Sequence, residues 1–400
     1  MVFLPYVIIF CISAFFVFNP LSFKEKFNDK IILFFIFFLT LFVGSRVEIG
    51  GDWGTYLYNY YTNGENFDFF DFSIRSDWGF ETLSYLFYYY DLPATYFLFF
   101  CSIINFCCLY IFLNKQPNKW LFLTISFPYL ITVIYMGFVR QSLALSFMFL
   151  AINSSNENKT TKVLYYFILG FLFHKSSIII FLLILICNKN IFKQIFSTKV
   201  FLLIILISYL IYYSSSDFSN LIGVYIKDTR ELSLSSKGAI PRLLLSFTAV
   251  IIFFIYKHKF KFTDFENKFY TANSFLIIFL CLFVFKYSTL VDRLNIYCLP
   301  FQLVVFSRLF LIDSTLIVKN LLNLTSVFIY GMIFVIWLYF SNSSHRWAPY
   351  YSFLLGHKIP IYNFMNYSIS CDMYFRGDLL FDKNEIDCNN IKKASNFEQE

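Results

Sequence analysis

Ile31-Ile32-Leu33-Phe34-Phe35-Ile36-Phe37-Phe38-Leu39-Thr40-Leu41-Phe42-Val43 runs directly into Gly44-Ser45-Arg46-Val47-Glu48-Ile49-Gly50-Gly51-Asp52-Trp53-Gly54-Thr55-Tyr56. An apolar run without a charge thus gives way at once to a guanidinium, two carboxylates and a tryptophan, the pattern of a membrane span reaching an interface. Because Arg and Trp flank spans routinely, the same residues also read as a polar loop with an interfacial anchor.

Blocks of this kind recur along the chain. Of 400 residues, 58% are apolar and 14% charged, and a soluble fold could not bury so much apolar surface. The expected class is an all-α, polytopic integral membrane protein with about 12 transmembrane or half-membrane helices. Spans fall near residues 2–19, 31–44, 94–113, 120–136, 140–152, 163–173, 176–187, 200–213, 240–256, 270–286, 293–312 and 320–340. Residues 1–356 then form one membrane domain, with an acidic outer loop at 45–93 and a second outer loop at 214–239, followed by a polar extracytoplasmic tail at 357–400 with a disordered end. The nine Cys show no ligand spacing. Only Cys371 and Cys388 are expected in an oxidising compartment, where a disulfide between them is open.

Charge gives the orientation. Lys24, Lys26, Lys30, Lys115, Lys119, Lys159, Lys162, Lys189, Lys193, Lys199, Lys257, Lys259, Lys261 and Lys268 occupy every second connection, which makes those connections cytoplasmic. Lys159 and Lys193 are therefore expected inside, Thr62 and Tyr350 outside. Arg follows the opposite rule: Arg46, Arg75, Arg140, Arg230, Arg242, Arg293, Arg346 and Arg376 lie at or near the outer side and only Arg308 toward the inside. Positive-inside insertion does not require outer Arg, so these guanidiniums fit bidentate recognition of an anion such as phosphate or pyrophosphate, or else pairing with outer carboxylates.

The 45–93 loop carries eight acids against Arg46 and Arg75. Its second half, from Asp77 to Leu86, reads as a helix lying in the interface. The acids make a solvated face, and a divalent cation there stays open although no EF-hand spacing is present. Lys-bearing connections bracket residues 120–152 and 163–187, so the chain must turn near Met136–Gln141 and again near Phe173-His174-Lys175-Ser176-Ser177. The second turn implies two half-length helices with His174 recessed from the outer surface. An ionisable group within a span costs on the order of 2–3 kcal/mol, which makes His174 a functional candidate, beside the alternative of a His bonded between helices. Residues 286–297 set Asp292 and Arg293 at a further outer turn, with Arg293 opening a helix, and the stretch from Ser214 to Ala239 could lie over the site as a lid.

With those residues in hand, the chain resembles the EpsG-like, Wzy-type polymerases of bacterial surface polysaccharide (O-antigen, capsule or exopolysaccharide). The resemblance rests on Arg46 followed by Gly51-Asp52-x-x-x-Tyr56, Gly79-Phe80-Glu81, Arg140-Gln141-x-Leu143-Ala144, Phe173-His174-x-Ser176 and Arg293-Leu294-x-x-Tyr297, and runs over roughly residues 1–356. The Gly-Gly pair before Asp52, Lys175 after His174 and the tail after Gly356 depart from the pattern.

The resemblance implies a GT-C-like arrangement of the helices and a glycosyltransferase in the bacterial inner membrane that joins oligosaccharide repeat units carried on undecaprenyl pyrophosphate at the outer, periplasmic face. Its partners would be lipid-linked oligosaccharides, membrane lipids and a chain-length regulator in the same membrane, without nucleic acid. No cofactor is expected. A pyrophosphate leaving group needs charge stabilisation, and the attacking sugar hydroxyl needs a base. Arg46, Arg140 and Arg293 are the expected clamp, His174 or Asp52 the base, and Glu48, Tyr56, Glu81, Gln141, Lys175, Asp292 and Tyr297 supporting residues. Arg46, Arg140, Arg293 and His174 are expected to converge on one outward-facing pocket. Two other functions stay open: a glycosyltransferase using a polyprenyl-monophosphate sugar, in which Asp52 near Glu48 would hold a metal, and a flippase for lipid-linked oligosaccharide.

Overall fold

The computed structural model describes residues 2–18, 25–65, 67, 77–196, 236, 238–341 and 343–356, and every structural statement below concerns these. The expected span at 200–213, most of the 214–239 loop, Arg75, Arg230, Arg376, the Cys371–Cys388 pair and the tail at 357–400 lie outside them.

The described residues are helical throughout, with one isolated β-bridge, between Arg46 and Ser352. The helices are α1 (Leu4–Phe18), α2 (Glu25–Gly44), α3 (Trp53–Glu65), α4 (Trp78–Tyr89), α5 (Ala94–Leu113), α6 (Lys119–Ser126), α7 (Val139–Asn156), α8 (Thr160–Phe173), α9 (Ile178–Cys187) and α10 (Lys189–Phe196). After the undescribed stretch come α11 (Ala239–Tyr256), α12 (Asp264–Phe283), α13 (Ser288–Ile296), α14 (Leu299–Ser307) and α15 (Leu316–Phe340). Among the described residues, Phe27–Gly44, Ala94–Leu113, Ala239–Tyr256 and Leu316–Phe340 are long and apolar enough to cross a bilayer alone, and α13 with the segment Leu299–Leu311 is apolar enough only as a pair bent by 55°, the shape of a broken span or a re-entrant loop. The protein is a polytopic membrane protein.

The bend has a local cause. Pro300 has no N–H to donate and its ring crowds the carbonyl four residues back, so α13 stops at Ile296 and α14 starts anew. Arg293 therefore stands in the last turn of a helix and does not open one, as the sequence had suggested.

Helix α7 is the axis of the bundle. Its sequence is the least membrane-like of the long helices, carrying Ser142, Ser146, Asn153, Ser154 and Ser155, yet every residue from Gln141 to Ser155 is buried. In a bilayer such a helix must sit inside, where its hydroxyls find partners. Asn105 of α5 donates to Ser142 Oγ (2.8 Å) and accepts from Ser146 Oγ (2.8 Å). Beside it, α6 continues as a π-helix over Phe127–Tyr135, with Pro128 in its first turn.

The turn read at 173–177 is present. The rings of Phe167 and Phe181 lie 5.3 Å apart, whereas a continuous helix would separate those residues by about 20 Å. Lys159 N donates to Ser154 O and Asn188 Nδ2 to Ser155 O, while His174 lies beside the start of α7. So α8 and α9 run in opposite directions along α7, and each is shorter than a hydrocarbon core about 30 Å thick.

The two ends of the bundle differ in chemistry. At the end bearing the Lys connections, Lys119 pairs with Asp29 (2.6 Å), Lys115 with Glu157 (3.2 Å), and Arg308 with Glu266 (3.0 Å), whose other bonds close a capping box with Thr263. The opposite end gathers the loop after α2, helices α3 and α4, the start of α7, the α8–α9 turn and residues 344–353. Only α4 of that end's two short helices is legible in the sequence. Helix α3 is missed because its Tyr- and Asn-rich residues show neither a long apolar run nor a clear cap.

Candidate functional site

Asp77 is the hub of the end opposite the Lys connections. It stands at the N-cap position of α4, where an aspartate ordinarily accepts from the helix's own N–H groups, but its side chain makes no capping bond. Instead one carboxylate oxygen meets both Arg140 Nη1 (3.2 Å) and His174 Nδ1 (3.1 Å), and the other accepts from Lys175 N at 3.4 Å. Gly79 allows this approach: a Cβ there would lie 2.9 Å from Leu172 Cβ and 3.0 Å from its carbonyl oxygen, so only glycine lets α4 seat against the end of α8.

The electrostatics follow from that geometry. Burial alone would raise the Asp77 pKa, but the His174 hydrogen bond, the His174 and Arg140 charges and the Lys175 N–H outweigh it and hold the carboxyl below its ordinary value. An ionised carboxylate only accepts, so Nδ1 of His174 carries the proton in this contact, and it is Nε2 that would hold the lone pair whenever the ring is neutral. The Arg140 side chain is 32% exposed against 8% for Asp77. Its guanidinium also lies over Phe80 at 6.0 Å and within hydrogen-bond reach of Tyr56. Burial, with the Asp52 charge in addition, pushes the Tyr56 phenol up, so it remains protonated.

Other sequence candidates take their places around this core. Asp52 lies within electrostatic reach of both Tyr56 and Arg140. Tyr297 bonds Ser176 across the turn, hydroxyl to hydroxyl at 3.1 Å, and feels the charge of Asp77. Arg293 is exposed on α13, one helical turn before Tyr297 and therefore on the same face. Asp292 is not free to join them: Arg242 grips it through two nitrogens, with Ser236 as a third donor, and Arg242 lies over Tyr129 at 5.3 Å. Gln141 is buried directly after Arg140, Glu81 borders the cleft beside Arg140, and Glu48 is half-buried at a φ of 56°.

Arg46 stands apart from the expected clamp. It is 1% exposed, and its guanidinium donates to three main-chain carbonyls, Val43 (2.6 Å), Ile49 (3.2 Å) and Met136 (2.9 Å). The loop it holds requires Gly50, whose φ is +119° and whose Cβ, if present, would lie 2.4 Å from the Met136 oxygen. Residues 346–353 lock the same loop from above: Gly50 N donates to Arg346 O, Val47 N to Tyr351 O and Phe353 N to Ser45 O. Trp347 Nε1 reaches Thr132 O on the π-helix at 2.8 Å. Of the four groups expected to converge, Arg140 and His174 meet at Asp77, Arg46 is held by main-chain carbonyls, and Arg293 is exposed on α13.

Sequence reading missed Asp77 as a site residue, though it named it among the acids. An aspartate opening a helix that starts Trp-Gly-Phe is expected to cap it, and nothing local reveals that the carboxylate faces away. Of the eight acids in the 45–93 loop, Asp68, Asp71 and the Glu65 side chain lie outside the described residues. Among the described residues, no three His, Cys, Asp or Glu gather as a metal site.

A family model described as the EpsG family matches residues 29–352. The match ends at the residue whose backbone bridges to Arg46, so it spans both halves of the locked outer loop. No curated protein and no solved structure matches the chain.

Proposed function

The chain belongs to the EpsG family, which places it in polysaccharide biosynthesis, and from that premise we propose that it polymerises oligosaccharide repeat units carried on undecaprenyl pyrophosphate, at the outer face of the bacterial inner membrane. The observation that carries the reading is the shared carboxylate: Asp77 orients a histidine and an arginine side by side, each still partly exposed.

In this reading His174 is the general base and Asp77 its positioning residue. The acceptor sugar hydroxyl gives its proton to Nε2 as its oxygen bonds to the donor's anomeric carbon. The bond from that carbon to the pyrophosphate oxygen breaks, and the electron pair leaves with undecaprenyl pyrophosphate. Arg140 meets the negative charge growing on that oxygen, and its N–H groups not facing Asp77 are turned toward Tyr56 and the cleft. Arg293, exposed a turn from Tyr297, supplies a second cation, and Asp52 supports through its field. A guanidinium clamp serves the role a metal ion takes elsewhere, so no cofactor is invoked. A chain-length regulator in the same membrane fits this role as partner.

The test is reconstitution of the purified protein in lipid vesicles with lipid-linked repeat units. A product ladder that disappears in His174→Ala and shrinks in Arg140→Lys is the expected result. Transfer of a single sugar from a polyprenyl monophosphate, or movement of substrate without bond formation, would replace the polymerase reading.

A further inference from the structure

Between α3 and α4, beside Arg140, lies a groove of about 370 Å³, counting the open solvent at its mouth. Tyr56, Asn59, Glu81, Ser84 and Tyr85 border it together with Arg140. The spacing is regular: residues 56, 59 and 60 share one face of α3, and 80, 81, 84 and 85 one face of α4, so two helices present a common wall. Aromatic rings stand beside an amide, a carboxylate and a hydroxyl.

That mixture matches one ligand chemistry. A pyranose has an apolar face of C–H groups and a rim of hydroxyls, so it needs a ring to lie against and short polar groups to bond its edge. An isoprenoid chain needs only the first, and the Asn59, Glu81 and Ser84 side chains would be desolvated against it at a cost. Tyr85 is backed by Phe67, stacked at 4.3 Å with 14° between the planes, which fixes the ring without consuming its hydroxyl. The groove is also continuous with the candidate centre through Tyr56 and Arg140.

We infer that the α3–α4 groove is a saccharide subsite that takes the sugar portion of a lipid-linked substrate, leaving its pyrophosphate at Arg140. The inference rests on the polymerase reading for the identity of the substrate, but not for the chemistry of the groove. An open groove suits a polymer, because the sugar edge away from the rings stays in water and the chain can advance.

The test measures binding to the full chain in lipid nanodiscs with two probes: the lipid-free oligosaccharide released by mild acid from the producing cell's lipid-linked pool, and undecaprenyl pyrophosphate without sugar. Asn59→Ala and Tyr85→Ala are each expected to weaken oligosaccharide binding by about tenfold, with Tyr85→Phe close to wild type and binding of the sugar-free lipid unchanged. Melting temperatures measured alongside identify any variant that fails to fold, and Ser84→Ala then substitutes for it. Unchanged oligosaccharide binding in the Asn59→Ala/Tyr85→Ala double variant overturns the inference, as does no oligosaccharide binding by wild type, or loss of the sugar-free lipid instead, which would give the groove to the isoprenoid. If no polymer forms but oligosaccharide binding follows the expected pattern, the polymerase reading falls and the subsite stands.

Discussion

Arg46 and Arg140 both lie within electrostatic reach of Tyr56, and the sequence gives them equal claims to bind an anion, yet the fold treats them in opposite ways. Arg46 is sealed under residues 346–353, with its N–H groups on three backbone carbonyls. Arg140 keeps a third of its side chain in the open, faces a carboxylate that it shares with a histidine, and borders a groove. The lesson is that an outer arginine in such a protein is assigned by what its fork already holds. A guanidinium whose partners are carbonyls of its own chain is part of the frame, and one that shares a carboxylate at the edge of a groove is the one proposed to meet substrate.

That contrast can be broken first at its structural side. Replacing Arg46 by Lys keeps the charge but cannot reach three carbonyls at once, so at least one buried acceptor loses its donor. Hydrogen bonds to charged groups contribute about 1.5–3 kcal/mol each, and the orphaned carbonyl adds a penalty, so the loss should be about 3 kcal/mol or more. Thermal unfolding of the detergent-solubilised protein should show a clear drop for Arg46→Lys, with less folded protein in the membrane. A melting temperature equal to wild type would return Arg46 to the list of substrate ligands.

Arg140→Lys should do the reverse. The protein should insert and melt like wild type, while polymer formation falls by about 10- to 100-fold because the fork that meets the leaving oxygen is gone. Donor binding and turnover should weaken together. Asp77→Asn sharpens the same point from the carboxylate side: the amide fits the space but can present an N–H to His174, and turnover should fall by about tenfold or more through loss of the ring's orientation. There is a pH signature as well. Because the folded-state pKa of Asp77 is depressed, facing Arg140, His174 and the Lys175 N–H with Tyr297 nearby, its stabilising contribution is complete above the ordinary aspartate pKa. It is lost as pH falls through the lower folded value. Melting curves of wild type should therefore lose stability at the acid end, and Asp77→Asn should lose less there.

The smallest effect belongs to Tyr297→Phe, which removes one hydroxyl bridge across the α8–α9 turn to Ser176. A loss of about 1 kcal/mol in stability and a few-fold in rate is expected. A larger rate loss with unchanged stability would move Tyr297 into contact with substrate.

Much of this architecture is legible in the sequence, and the limits have physical causes. The apolar blocks and the alternation of Lys-bearing connections lead to the spans, and the same alternation calls for the turn at His174, because a single span at 163–187 would leave Lys189 and Lys193 on the wrong side. What stays hidden is long-range pairing. Met136 lies 90 residues from Arg46 and Asp77 lies 97 from His174, and no local pattern says which carbonyl or which carboxylate each will find. Helix α7 illustrates the converse, since its serines and asparagines read as a weak span and yet every residue from Gln141 to Ser155 is buried.

The account turns on His174 as the base held by Asp77, and the direct measurement is polymer formation by His174→Ala in lipid vesicles at matched amounts of folded protein, with donor binding measured on the same preparation. General-base catalysis contributes about 10²- to 10⁴-fold, so turnover should fall by at least about a hundredfold while donor affinity stays within about threefold of wild type. Polymer of full length at the wild-type rate from His174→Ala would contradict it.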